Sequence, residues 1–239
     1  MQQSDGPSGG YDGASGGYSA GNSIADHKKA SRRRIRRMRR ELSDATLRAW
    51  DEQLVAQLIT AIDDIAATLQ LTDDGPLLIA TYLPVAHDPG AHTPGGFIPS
   101  LLSALDERIP CRIVIPRVED KRQLSWHPWS PDNLVTTSFG IREPDERSTP
   151  IPFDTVDIAI VPALAYDVAG YRLGQGGGYY DCALAARRSS RQSSGQSSTF
   201  HPIGLVHPHE ILPAVPHDGW DVQLTTVITT LGRRHFPGG

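Results

Sequence analysis

The ten residues Arg172-Leu173-Gly174-Gln175-Gly176-Gly177-Gly178-Tyr179-Tyr180-Asp181 restrict the choice of fold more than any other stretch of the chain. Before them runs Val156-Asp157-Ile158-Ala159-Ile160-Val161-Pro162, apolar and β-branched, which reads as a buried strand. After them Cys182-Ala183-Leu184-Ala185-Ala186-Arg187 reads as helix. A buried strand, a glycine turn and a helix start, in that order, belong to an α/β fold. The same order makes a good backbone cradle for phosphate. Glycines let backbone amides approach an anion closely, and a helix N-terminus adds partial positive charge.

The rest of the chain supplies the sheet. Buried strands are expected at 77–82, 111–115, 203–206 and 222–228, with a short edge strand at 123–126. Helices are expected at 44–69, with Ser43 as its N-cap, and at 97–107. Residues 129–152 and 208–221 read as loop. Strands alternating with helices predict a single three-layer α/β/α domain with a mostly parallel sheet. Its bounds are read as 25–233, with a disordered Gly/Ser-rich tail at 1–24, a flexible Ser-rich insertion at 188–199 and a short tail at 234–239.

Bulk properties exclude some roles. A formal charge of −4 gives no global reason to expect nucleic acid or an anionic membrane as partner. No apolar run approaches the roughly 20 residues that span a bilayer, and the N-terminus has no apolar core of a secretory signal. Cys111 and Cys182 stand alone, which suits a reducing compartment. A monomeric cytoplasmic protein is the expectation.

Charge is concentrated in one place. Nine of the thirteen residues from Lys28 to Arg40 are basic, and Ile35, Met38 and Leu42 add a thin apolar stripe at helical spacing. Three readings are open: a solvated charged face, an arm for RNA, or a cationic clamp on a nucleotide. The glycine loop favours the clamp. It lacks the GK[S/T] ending of a P-loop and the later acidic residue of a dinucleotide fold. Arg172 offers a two-pronged donor for phosphate, and Asp181 could hold Mg²⁺ at the helix start. Tyr179 and Tyr180 could stack on a flat ligand or pack under the sheet. His207, His209 and His217 lie among prolines and read as loop polarity, with His217 a candidate to line the site. Trp126, Trp129 and Trp220 read as packing residues.

The run Val161-Pro162-Ala163-Leu164-Ala165-Tyr166-Asp167, then Gly170 and the stretch from Arg172 to Asp181, resembles the signature of the 5-formyltetrahydrofolate cyclo-ligase family. The resemblance covers roughly residues 28–229, and Tyr82-Leu83-Pro84 and Phe139-Gly140-Ile141-Arg142-Glu143-Pro144 fit it too. It implies ATP- and Mg²⁺-dependent closure of 5-formyltetrahydrofolate to 5,10-methenyltetrahydrofolate. It implies that Lys28 and Arg32 reach ATP, the other arginines of their helix staying solvated. It also implies that Arg172, Leu173, Gly174, Gln175, Gly176, Gly177, Gly178, Tyr179 and Tyr180 wrap the phosphates, with Arg172 and Tyr180 in catalysis. The folate would meet Leu83, Asp88, Phe139 and the loop from Gln175 to Tyr179. The metal would meet Asp181 and Asp221, the latter preferred to Asp218. Asp88 stands where the family usually has Glu, and residues 87–96 are longer than usual. Gln175 and Gly177 replace basic residues of some members, which shifts phosphate binding toward backbone amides, Arg172 and the basic helix. A different phosphate-binding α/β enzyme and an RNA-binding protein are the alternative readings.

Overall fold

The computed structural model describes residues 23–69, 75–105, 108–137, 140–194 and 200–237. The expected tail up to residue 22, Phe139, and residues 195–199 of the Ser-rich insertion lie outside them. Four helices are described: α1 (Ile24–Arg40), α2 (Asp44–Thr68), α3 (Phe97–Leu105) and α4 (Tyr179–Ser194). The strands are β1 (Leu77–Ala80), β2 (Cys111–Val118), β3 (Leu124–Pro128), β4 (Leu134–Thr136), β5 (Arg142–Pro144) and β6 (Ile158–Pro162). They continue with β7 (Ala165–Asp167), β8 (Arg172–Leu173), β9 (His201–Leu205), β10 (Ile211–Leu212), β11 (Thr226–Thr229) and β12 (Gly232–His235).

Side-chain oxygens start the first two helices. The Ser23 hydroxyl accepts from the Asp26 amide while the Asp26 carboxylate accepts from the Ser23 amide. Ser23 and Ile24, expected in the tail, therefore belong to the fold. Ser43 caps α2 through the Thr46 amide, as expected. Leu47, Leu54, Leu58, Ile62 and Ile65 then fall on one buried face at spacings of three, four and seven.

The central sheet has seven strands in the order β12-β11-β9-β6-β1-β2-β3. The five inner strands are parallel; β12 and β3 run antiparallel at the edges. Successive side chains of a strand point to opposite faces. Ile79, Ile113, Ile115, Ile158, Ile160 and Ile203 pack with α2 and α3. Leu78, Val114, Ala159, Val161 and Val227 pack on the other face with Leu184 of α4. Each fully buried isoleucine contributes about 1.5–3 kcal/mol.

Several expectations need adjustment. The last inner strand starts at Thr226 rather than at 222, and β12 follows it where a tail was expected. Residues 129–152 hold the antiparallel ribbon β4–β5. Residues 208–221 hold β10, which joins β7 and β8 in a small sheet of order β10-β7-β8. That sheet stands between β6 and the glycine loop, so the loop does not leave the central sheet directly. It is needed because β6 ends in the core and the chain must return to present the loop. Gly170 makes the return possible: its φ is +89°, and an added Cβ would stand 2.0 Å from the Leu224 carbonyl oxygen. No helix among the described residues is long and apolar enough to cross a membrane.

Candidate active site

Chain order reverses across the sheet between β1 and β6: β2 follows β1 on one side, and β9 and β11 follow β6 on the other. Open parallel sheets bind ligands outside the carboxyl ends of their strands at such a switch point. A cavity of about 300 Å³ lies there. Tyr82, Leu83 and Asp88 line it after β1, Pro162 and Ala163 at the end of β6, and Pro116 and Val118 from β2. Arg172, Gly174, Gln175, Gly177, Gly178, Tyr179, Tyr180 and Asp181 form another wall, and Leu124, Ile141, Arg142 and Glu143 complete the lining. Most of the residues expected from widely separated segments thus meet at one place.

Helix α1 crosses the glycine loop. Arg32 donates from Nε to the Gly174 carbonyl at 2.9 Å. Arg36 donates to the Gln175 side-chain oxygen at 2.6 Å and to its backbone carbonyl at 3.2 Å. Lys28 donates to Asp221 at 2.6 Å and to Asp218 at 3.0 Å. Burial alone would lower the Lys28 ammonium, but the bonds to the two aspartates outweigh it and raise its pKa. Residues 28, 32 and 36 are four apart and so share one helix face. Within the loop, Gly176 and Gly178 have φ of +117° and +72°, a conformation L side chains rarely adopt. A Cβ on Gly177 would stand 2.5 Å from the Tyr179 ring.

Arg172 is 3% exposed. Its Nη2 lies 2.6 Å from Asp181 Oδ1, and its Nη1 donates to the Val222 carbonyl at 3.2 Å. Asp181 Oδ1 also accepts from the Val222 amide, which joins the start of α4 to the segment carrying Asp221. Burial raises the Asp181 pKa, Arg172 opposes it, and the negative charge of Asp221 raises it further. Tyr180 packs edge-on against Trp126 at 6.0 Å between ring centres. Its hydroxyl is buried with no hydrogen-bond partner among the described residues, and burial raises its pKa. The two readings of Tyr180 combine: the ring packs under the sheet while the residue lines the cavity.

Asp88 meets the cavity as half of an ion pair. Asp88 Oδ1 lies 2.7 Å from Arg39 Nη1. Burial raises the Asp88 pKa and Arg39 opposes that rise. The segment carrying Asp88 is pinned by Asp51, a fully buried carboxylate of α2 that accepts from the Gly90 and His92 amides at 2.8 and 2.6 Å. Tyr82 adds a bond to the Pro89 carbonyl at 2.7 Å.

Other expected residues sit elsewhere. The Leu173 side chain is fully buried with Ile35 and Leu164, so only its backbone can face a ligand. Phe139 lies outside the described residues. His217 is exposed and stacks on Tyr171 at 3.7 Å, away from the cavity wall. Trp126 is buried, but Trp220 is 87% exposed, contrary to its expected packing role. It rides an Asp218 turn whose amides are held by carboxylates rather than by a core. His207 and His209 flank Trp50 at 5.4 and 5.7 Å between ring centres. The arginines expected to be solvated divide. Arg36 bonds the glycine loop, and Arg39 is only 4% exposed, because α1 lies flat against the domain and turns that residue inward. The spacing of 28, 32 and 36 was the available signal for Arg36; Arg39, Asp51 and Glu210 carried none.

No group of three or more His, Cys, Asp or Glu side chains suited to a metal occurs among the described residues. Asp181 lines the cavity, and Asp221 lies close enough for its charge to act on Asp181, so the two supply a pair of carboxylates. That set fits Mg²⁺, which is commonly held by one or two carboxylates and completed by substrate phosphates.

Comparison with known proteins adds the following. The profile of the 5-formyltetrahydrofolate cyclo-ligase family matches residues 24–230. A 5-formyltetrahydrofolate cyclo-ligase of Mycolicibacterium smegmatis is 31% identical over 159 residues, 63% of this chain and 72% of that protein. One of Escherichia coli is 34% identical over 108 residues, 44% of this chain and 53% of that protein. The 5,10-methenyltetrahydrofolate synthetase of Aquifex aeolicus superposes with a TM-score of 0.65 at 22% identity, covering 89% of this chain and 94% of that one. That of Mycoplasma pneumoniae gives 0.59 at 20%, covering 85% and 98%. At these identities the two structures speak for the fold, a mostly parallel sheet clothed by helices.

Proposed function

The chain belongs to the 5-formyltetrahydrofolate cyclo-ligase family, and we propose that it converts 5-formyltetrahydrofolate and ATP to 5,10-methenyltetrahydrofolate, ADP and phosphate. The observation that carries this reading is the meeting of α1 with the glycine loop, which lines a cavity together with Asp88. One side of the cavity suits a triphosphate and the other a flat, hydrogen-bonding heterocycle.

The chemistry follows from the substrate. An amide-like formyl oxygen on N5 leaves poorly. In this reading that oxygen attacks the γ-phosphorus, and the bond to the β-phosphate oxygen breaks to release ADP. N10 then adds to the activated carbon, loses its proton, and phosphate departs. Such transfer needs positioning and neutralised charge rather than a covalent nucleophile.

The residues divide accordingly. Amides of Gly174 to Gly178 cradle the phosphates, with Lys28, Arg32 and Arg36 against their outer oxygens. Arg172 faces the group in transfer, and the Tyr180 hydroxyl donates to an oxygen of the same group. Leu83, Phe139 and Tyr179 cover the pterin, and Asp88 accepts from its N–H groups. Mg²⁺ held by Asp181, Asp221 and phosphate oxygens would neutralise part of the triphosphate charge. The chain acts in this reading as a cytoplasmic monomer without nucleic acid or membrane.

Purified protein given Mg-ATP and 5-formyltetrahydrofolate should accumulate the methenyl product, read by absorbance; no product would sink the proposal. Thermal shift separates it from another phosphate-binding activity, since the folate should stabilise the protein beyond Mg-ATP alone. Steeply salt-dependent RNA binding that ATP with folate fails to displace would favour an RNA-binding role instead.

A further inference from the structure

Arg39 stands on α1 beyond the three residues that face the glycine loop, and it points into the protein. Its guanidinium makes four hydrogen bonds. Nε and Nη2 meet the two oxygens of Glu210 at 2.6 and 2.9 Å, and Nη2 also reaches the Ala163 carbonyl at 2.9 Å. Nη1 reaches Asp88 at 2.7 Å. Glu210 is itself buried and accepts from the His207 amide at 2.9 Å. A planar fork held on one edge by a buried carboxylate has little freedom left. Its remaining edge is therefore aimed at Asp88.

Asp88 is otherwise weakly held. Its second oxygen lies 3.5 Å from the Val85 amide, and the turn between them carries Ala86 at φ +51°. A half-buried carboxylate is held charged and in one orientation more firmly when a cation is bonded to it. A pterin presents adjacent N–H donors on its pyrimidine edge, and only an ionised carboxylate accepts from both. We infer that Arg39, braced by Glu210, is a positioning residue for the folate: it holds the Asp88 carboxylate charged and turned toward the cavity. The inference rests on the folate reading above.

The groups facing Asp88 are Arg39 from α1, Glu210 and His207 from the segment after β9, and Tyr82 from the end of β1. Arg142, Glu143, Arg172 and Asp181 line the same cavity. Arg36, Arg40 and His87 line the adjoining hollow. Removing Arg39 takes away the one opposing cation bonded to Asp88. The Asp88 pKa then rises, so folate binding should weaken most at lower pH and recover as pH increases.

The test compares wild type with Arg39→Lys and with the double variant Arg39→Met/Glu210→Gln, which removes the Glu210 charge together with Arg39 so that Asp88 alone loses its partner. KM for 5-formyltetrahydrofolate, KM for ATP and kcat are measured across pH. The double variant should show a KM for folate raised tenfold or more near pH 7, falling back toward wild type at higher pH. KM for ATP should stay within twofold, and the Lys variant should recover part of the loss. An unchanged KM for folate overturns the inference. So does a rise indifferent to pH, or a KM for ATP that climbs in step, which would mean α1 had merely shifted. Absence of wild-type turnover would overturn the parent reading instead.

Discussion

Lys28 and Asp221 are 193 positions apart in the chain and 2.6 Å apart in the fold. The pair joins the first helix to the segment before the last inner strand, at the rim where a triphosphate would lie. Lys28 is largely buried there, so its charge cannot be replaced by water without loss. Substituting Lys28→Met should raise KM for ATP by about 10–100-fold, the cost of one charged hydrogen bond in a dry place. KM for the folate should move little. Steady-state kinetics with each substrate varied in turn checks both parts.

The same pair bears on the metal. Asp221 is engaged by Lys28 and Asp181 by Arg172, so under the proposed function each carboxylate would exchange a protein cation for Mg²⁺. Chelation by EDTA should stop turnover. Asp181→Asn and Asp221→Asn should each require at least tenfold more Mg²⁺ for half-maximal rate, while Asp218→Asn, with 44% of its side chain exposed, should not. A magnesium titration that finds Asp218 more sensitive than Asp221 would reverse the assignment.

Two glycines should behave in opposite ways. Gly170→Ala places a methyl 2.0 Å from a backbone oxygen at a positive φ and should cost more than about 3 kcal/mol, or prevent folding. Gly174→Ala meets nothing within 4 Å and has no unusual φ, so stability should change by less than about 1 kcal/mol. Urea unfolding of the two variants decides.

Acid should destabilise the protein partly through His207. The residue is 2% exposed, and burial holds its imidazole below the usual histidine range despite Glu210 nearby. The unfolded chain then binds that proton first. The stability His207 contributes is complete above its unfolded value near about 6.5 and drains as pH falls through the folded one. His127, also lowered by burial, acts with the same sign. Asp51 and Asp88, raised by burial, act oppositely: the fold takes up their protons before the unfolded chain does. Replacing His207→Asn should therefore flatten the fall of the urea midpoint on mild acidification. An unaltered slope would remove His207 from the account.

The parts legible in the sequence were those written as periodicity. Ile158 and Ile160 against Ala159 and Val161 announce a strand buried on both faces, and Leu54, Leu58 and Ile62 announce a helix face. Lys28 and Arg32 were implied by the resemblance, whereas Arg36, one turn further along, was expected to be solvated and instead bonds Gln175. Strand β12 has no such signature, because an edge strand of Gly, Arg, Arg and His pairs through its backbone alone. Arg39 is one arginine among nine basic residues, and only the way α1 lies on the domain distinguishes it. Trp220 misled for the opposite reason. Its size suggested burial, yet two aspartates hold its turn at the surface. Asp51 carries no signal in the sequence, because its role depends on the backbone amides of Gly90 and His92 that the fold brings to it.

Helix α1 touches its partners across long intervals of chain: Ala163 is 124 positions away from Arg39, Gly174 142 from Arg32, and Asp221 193 from Lys28. Of its 17 residues only Ile35 and Arg39 are buried, so little apolar surface draws it home before those partners exist. The order of synthesis and the order of assembly are therefore opposed. The helix leaves the ribosome ahead of every strand of the sheet, and its bonds to Ala163, Gly174 and Asp221 can form only after those residues have followed it.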